Sequence, residues 1–202
     1  SILKKLNRSP AFIRKKYKKF KDESLILKNI GPLYEENSRK KALLNAFRNN
    51  IDIAILDDGY QDFTIHKDFS IVCFNEKYWI GNGHIIPSGP LREELSALKR
   101  ADCVVINGNK NSIIENEILE NNNNVKIFYT KYIALNISDF KNKKIISFAG
   151  IGNPSDFFQL LKKNEINTLE NIAFPDHYNY SEIELKNLIE KANNLDAILL
   201  TT

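Results

Sequence analysis

The segment Ile55-Leu-Asp-Asp-Gly-Tyr-Gln-Asp62 puts two adjacent carboxylates at the end of an apolar run and follows them with a glycine. At a strand tip this is the arrangement of a Walker B segment. A carboxylate there can hold Mg²⁺, directly or through water, against nucleotide phosphates. Side chains alternate along a strand, so Asp57 and Asp58 are expected to diverge, one serving the metal and the other orienting the loop. The plainer alternative is a polar exit from strand to turn, for which Asp-Gly is a common pair.

Three further groups could carry chemistry. Gly81-Asn-Gly-His84 and Pro87-Ser-Gly-Pro-Leu-Arg-Glu93 fix an elaborate loop. Arg92 on that loop could clamp a phosphate or carboxylate, or the whole could be a structured connector. In Phe174-Pro-Asp-His-Tyr178, His177 stands beside Asp176, a pairing that can tune proton transfer. A lone histidine is more often structural, and the same holds for His66 and His84. The three histidines lack metal-ligand spacing, so no zinc site is expected. In Lys21-Asp-Glu-Ser24, the acidic pair could open a helix or supply a base near a phosphoryl acceptor.

These residues need elements to position them. The patterning predicts strands at 11–14, 51–56, 70–74, 102–107, 125–130, 144–148 and 197–202. It predicts helices at 38–49, 112–120 and 181–192, and one opening at Pro154. Ser181 and Glu184 have the spacing of a capping box. Asn121 to Asn124 reads as a loop. Short apolar strands alternating with helices argue for a parallel α/β sheet, whose ligand site lies beyond the carboxyl ends of its strands.

Composition narrows the class. The 202 residues are 43% hydrophobic and 27% charged, ordinary for a globular chain. Two cysteines, Cys73 and Cys103, exclude a disulfide framework, and both are expected to be buried thiols. A net charge of +4 is too mild to argue for nucleic acid. The charge is local, with nine Lys or Arg and no acid from Lys4 to Lys21. That run is either a solvated basic edge or a surface for phosphates or anionic lipid. No apolar run reaches the roughly 18 residues of a spanning helix. There is no methionine, the chain opens on Ser1, and it closes in an apolar run, so a piece of a longer protein is expected.

Taken in order, DDGYQD, GNGHIIPSGPLREELSALKRADCVVING, SFAGIGNPSDFF, FPDHYNY and LLTT resemble the tetraacyldisaccharide 4′-kinases, the lipid A kinases of Gram-negative bacteria. The resemblance covers nearly the whole chain and is most specific from Gly81 to Gly108. It implies a P-loop NTPase-like, three-layer parallel-sheet domain, present in part over 1–138. A smaller, incomplete α/β domain follows over 139–202. The implied reaction moves the γ-phosphate of ATP, with Mg²⁺, to the 4′-hydroxyl of tetraacyldisaccharide 1-phosphate. The implied setting is the cytoplasmic face of the bacterial inner membrane, for a peripheral or anchored monomer with no nucleic-acid partner.

By the same resemblance, Asp57 and Asp58 match the carboxylates that serve nucleotide and metal. Asp22 and His177 match a catalytic dyad. Arg39, Gln61 and Arg92 match substrate-site residues. Three departures stand out: Asp62 replaces a motif histidine, Lys21 replaces the glycine of G-D-E, and no G-x-x-x-x-G-K-[ST] occurs in the chain. Without that phosphate nest, residues 1–202 alone are expected to be nearly inactive. The competing expectations are a non-catalytic binding module on a nucleotide fold and a metal-dependent nucleotide-sugar glycosyltransferase.

Overall fold

The structure is a computed structural model. It describes residues 2–17 and 21–202, with Lys21 and Asp22 described through their backbone alone. The chain separates into two compact units, Ser1–Lys131 and Tyr132–Thr202. Among the described residues, the six strand pairings are all parallel, in three sheets of three strands each.

The first unit begins with α1 (Ile2–Lys5), β1 (Pro10–Lys15), α2 (Lys21–Ile30), β2 (Leu33–Glu36), α3 (Arg39–Arg48) and β3 (Ile53–Leu56). The sheet order is β2-β1-β3. Helix α3 starts because the Ser38 hydroxyl accepts the Lys41 amide. Its Ala42 and Ala46, one turn apart and small, let it approach β1 closely, and they share a core with Ile13. Ile13 and Leu56 are register partners, so the chain ends of β1 and β3 lie side by side.

The same unit continues with β4 (Ile71–Asn75), a 3₁₀ turn at Leu95–Arg100, β5 (Cys103–Asn107), α4 (Ser112–Asn121) and β6 (Lys126–Thr130), in the order β4-β5-β6. One face of this sheet, through Val104 and Ile106, packs on Leu98, Ile114 and Ile118. The opposite face carries Ile71, Cys73 and Phe128, all exposed. Cys73 therefore corrects the expectation of two buried thiols. Only Cys103 is buried: the two share a face, but Cys103 lies on the central strand β5 and Cys73 on the edge strand β4. The asparagine run is a loop from Asn122, whose amide donates to the carbonyls of Leu98 and Ala101, each at 2.9 Å.

The second unit holds a 3₁₀ turn at Ile137–Asp139, β7 (Ile145–Ala149), α5 (Pro154–Lys163), β8 (Thr168–Ala173), α6 (Glu182–Asn194) and β9 (Ile198–Thr201). Its order is β8-β7-β9, and every residue of the central strand is buried. Pro154 opens α5, and the Ser181–Glu184 capping box opens α6, as the sequence predicts. Two strands, β2 and β8, had no counterpart in the sequence reading. Both lie at sheet edges and carry polar residues with local partners. Glu36 of β2 accepts from Asn45, and Glu170 of β8 pairs with Lys191.

Candidate active site

The acidic turn is built by β3 and a forced change of direction. The Asp57 amide still donates to the Ile13 carbonyl at 3.1 Å, extending the ladder by one bond. Asp58 then adopts φ +53°, which ends the strand. Gly59 makes the turn possible, since a Cβ there would lie 2.6 Å from Leu56 Cβ, closer than two carbons can pack. The two carboxylates diverge, as a strand end requires. Asp57 Oδ2 lies 3.3 Å from Arg14 Nε, and Asp58 Oδ1 accepts from Arg92 Nη1 at 2.5 Å.

Arg14 is the residue that sequence reasoning missed. It is only 4% exposed, at the tip of β1. Besides Asp57, its guanidinium pairs with the Glu23 carboxylate and donates to the Ser24 hydroxyl at 3.2 Å. Ser24 in turn donates to Glu35 at 2.5 Å. Arg14 was read as the end of a short strand inside the basic run, with no role in the site. The usable signal was a cation closing an apolar strand that must lie beside the Asp-Asp strand.

Arg39 is nearly as buried, at 8% exposed. Its Nη2 donates to the carbonyls of Asp57 at 3.0 Å and Asp58 at 2.8 Å, and its Nη1 lies 3.5 Å from Asp62 Oδ2. Its Nε is buried with no hydrogen-bond partner among the described residues. Arg39 thus grips the acidic turn from within. Asp62, the departure from the motif histidine, is accommodated here. Its Oδ1 accepts the Thr64 hydroxyl at 2.5 Å and the Thr64 amide at 3.1 Å. The Thr64 hydroxyl bond is the main reason its carboxyl titrates below the usual range, with Arg39 adding to the effect.

Gln61 and Arg92 line one cleft of about 300 Å³, together with Tyr60, Trp79 and Pro90. The loop that carries Arg92 is held by its own backbone, Ile86 N–H to Leu91 O at 2.8 Å, and by the Asn82 amide on the Ser88 carbonyl at 2.8 Å. Trp79 is fixed by its indole N–H on Glu117 at 2.9 Å and by the Phe74 ring at 4.7 Å. Asp22 lies in the first turn of α2, and its side chain falls outside the described residues, as do Lys18 to Phe20 of the basic run. His66 is 89% exposed beside Asp68, and neither it nor His84 belongs to the acidic turn or the cleft.

His177 belongs to the second unit, in the loop between β8 and α6. It adopts φ +53°, and its amide donates to the Gly150 carbonyl at 3.1 Å. Gly150 follows β7, so this loop packs at the carboxyl end of the central strand. A Cβ at Gly150 would lie 2.9 Å from the Tyr180 hydroxyl and 3.1 Å from Tyr178 Cβ. The rings of Phe148, Phe174, Tyr178 and Tyr180 form a cluster with centroids 5.0–6.4 Å apart. The imidazole is 31% exposed, with Nε2 3.9 Å from Asp176 Oδ2.

A family model described as tetraacyldisaccharide-1-P 4′-kinase matches residues 7–202. The chain belongs to that family. It is 41% identical to the tetraacyldisaccharide 4′-kinase of Pelagibacter ubique, over all of this chain and 65% of the relative. It is 38% identical to that of Rickettsia bellii, over 90% of this chain and 56% of the relative. The chain thus spans less than two thirds of the length of these kinases. A crystal structure of an "apo" form LpxK from Aquifex aeolicus in complex with ATP superposes with a TM-score of 0.67. It is 23% identical, and the match covers the whole of this chain and 70% of that one. The resemblance read from the motifs is therefore borne out, and so is the parallel α/β fold class.

Proposed function

We propose that this chain is the part of a tetraacyldisaccharide 4′-kinase that holds its metal-side carboxylates, its acceptor-side arginine and its histidine. The carrying observation is the Asp57–Asp58 turn at the carboxyl ends of two parallel strands, ringed by Arg14, Arg39 and Arg92, in a chain of this family. The reaction transfers the γ-phosphate of ATP to the 4′-hydroxyl of tetraacyldisaccharide 1-phosphate. Residues 1–138 are assigned to the kinase domain and 139–202 to the smaller one. The protein works as a monomer on a lipid at the cytoplasmic face of the inner membrane, with no nucleic acid. No helix among the described residues is long and apolar enough to cross a membrane.

Asp57 and Asp58 suit Mg²⁺, which binds through one or two carboxylates and fills its remaining positions with water and phosphate oxygens. Both carboxylates are partly exposed, at 37% and 49%. No group of three metal-ligating side chains exists among the described residues, and Mg²⁺ at a phosphate site needs none. Bound there, Mg²⁺ would neutralise charge building on the transferred phosphoryl group. Arg92, exposed on its loop, is placed to exchange Asp58 for a phosphate oxygen. Gln61 lines the same cleft and orients the acceptor. Arg39 holds the acidic turn, so its contribution to substrate binding runs through Asp57 and Asp58. Asp22 is given the role of base toward the attacking hydroxyl, and His177 a role in the same proton transfer.

The test uses the product of the complete gene, with ATP, Mg²⁺ and the disaccharide lipid. Phosphorylated lipid should form, and Asp57→Asn and Asp58→Asn should each lower kcat by roughly a hundredfold or more, the scale of losing an electrostatic contact in the transition state. Turnover of a nucleotide sugar with no use of ATP would replace this reading with a glycosyltransferase.

A further inference from the structure

We propose that Tyr178 and Glu184 are positioning residues for His177, clamping the loop that presents its imidazole. The proposal rests on the reading of His177 given above. A non-glycine residue at φ +53° is held against a cost of roughly 1–2 kcal/mol, so its neighbours must over-determine it. The amide of His177 is fixed on Gly150 O, which leaves the chain beyond it to be fixed by Tyr178.

Tyr178 is secured at both ends. Its hydroxyl donates to Glu184 Oε1 at 2.6 Å, and its ring lies 5.0 Å from Phe174 and 5.4 Å from Tyr180. Glu184 is itself anchored. Its Oε2 accepts the Ser181 amide at 2.8 Å and the Ser181 hydroxyl at 2.7 Å, in the first turn of α6. Phe174 follows β8 directly. The loop from Phe174 to Glu184 is therefore tied to a strand on one side and a helix on the other, with His177 between. Glu184 does more than cap a helix. One oxygen closes the capping box, and the other reaches back to the residue after His177. That hydrogen bond holds the Glu184 carboxyl below its ordinary range and pushes the Tyr178 phenol up. Orientation of a proton-handling group by even an ångström matters to rate far more than to affinity.

The experiment measures kcat and KM of the complete gene product carrying His177→Ala, Tyr178→Phe, Glu184→Gln, Ser181→Ala and the Tyr178→Phe/Glu184→Gln pair. Loss of the clamp should lower kcat roughly tenfold in both single variants, with KM within about twofold, the signature of lost orientation. The pair should be no worse than the more damaged single variant. Ser181→Ala weakens the same cap while sparing the tyrosine bond, and should keep kcat within about twofold. In the 202-residue chain, Tyr178→Phe should shift the imidazole resonances of His177 and leave those of His66 and His84 in place. Wild-type kcat in Tyr178→Phe and Glu184→Gln, with His177→Ala inactive, would overturn the clamp and leave the proposed function standing. Equal loss in Ser181→Ala would also overturn it, assigning the effect to the helix cap. Full activity in His177→Ala would instead remove the role given to the histidine.

Discussion

The acidic turn and the histidine loop each carry a non-glycine residue at φ +53°, Asp58 and His177, and each follows a parallel strand. They are held by opposite means. The acidic turn is held by charge: Arg39 on its carbonyls, Arg14 on Asp57 and Arg92 on Asp58. The histidine loop is held by four aromatic rings and hydrogen bonds around a glycine, with two carboxylates, Asp176 and Glu184, beside it. Anions clustered on a turn need cations beside them, whereas the histidine loop takes most of its order from packed rings. The first device depends on paired charge, and the second depends mainly on packing.

The largest effect should come from the packing side. Phe148→Ala removes a ring that is 7% exposed and packs on Phe174 and Tyr180, and should cost about 3 kcal/mol, the lower end for Phe→Ala in a core. Its loss, read by denaturant unfolding of the second unit, should be the same at pH 5 and pH 8. A strongly pH-dependent loss would break the contrast.

On the charged side, Arg14→Met should cost about 2 kcal/mol. That is less than for a fully buried pair, because Glu23 and Asp57 remain partly in water. Arg39→Lys keeps the charge and gives up the forked grip on two carbonyls. It should cost about 1 kcal/mol and raise the Mg²⁺ concentration needed for half-maximal rate, which a metal titration would show.

Asp62→Asn should be mildest. Its native carboxyl titrates below the usual range, so it contributes stability above its unfolded-state value and loses it as pH falls through the folded one. The asparagine variant should therefore be slightly less stable at neutral pH and should lack that part of the acid limb. Parallel curves for the two proteins from pH 7 down to pH 3 would show that Thr64 and Arg39 do not bias Asp62.

Much of this was legible in advance because it rests on local rules. The strand before Asp57, the glycine after Asp58, the proline opening α5 and the Ser181–Glu184 cap all follow from neighbours in sequence. The edge strands Leu33–Glu36 and Thr168–Ala173 were not legible, since their polar residues are satisfied by partners on other elements. The burial of Arg14 escaped for the same reason. A cation inside a basic run reads as solvated until Glu23, Ser24 and Asp57 converge on it from α2 and the end of β3. Tyr178 escaped because its hydroxyl partner lies six residues on, inside a helix whose cap had already explained Glu184.

Trp79 is the chain's sole tryptophan, and it lines the cleft that Gln61 and Arg92 share. Its indole is held by Glu117 and Phe74, so it does not tumble independently of the wall it belongs to. That makes the cleft self-reporting. When a ligand displaces water there, the emission maximum should move to shorter wavelength without any label. A quencher such as acrylamide should lose access in step with occupancy. A single optical channel can thus follow this cleft while metal and nucleotide are varied separately.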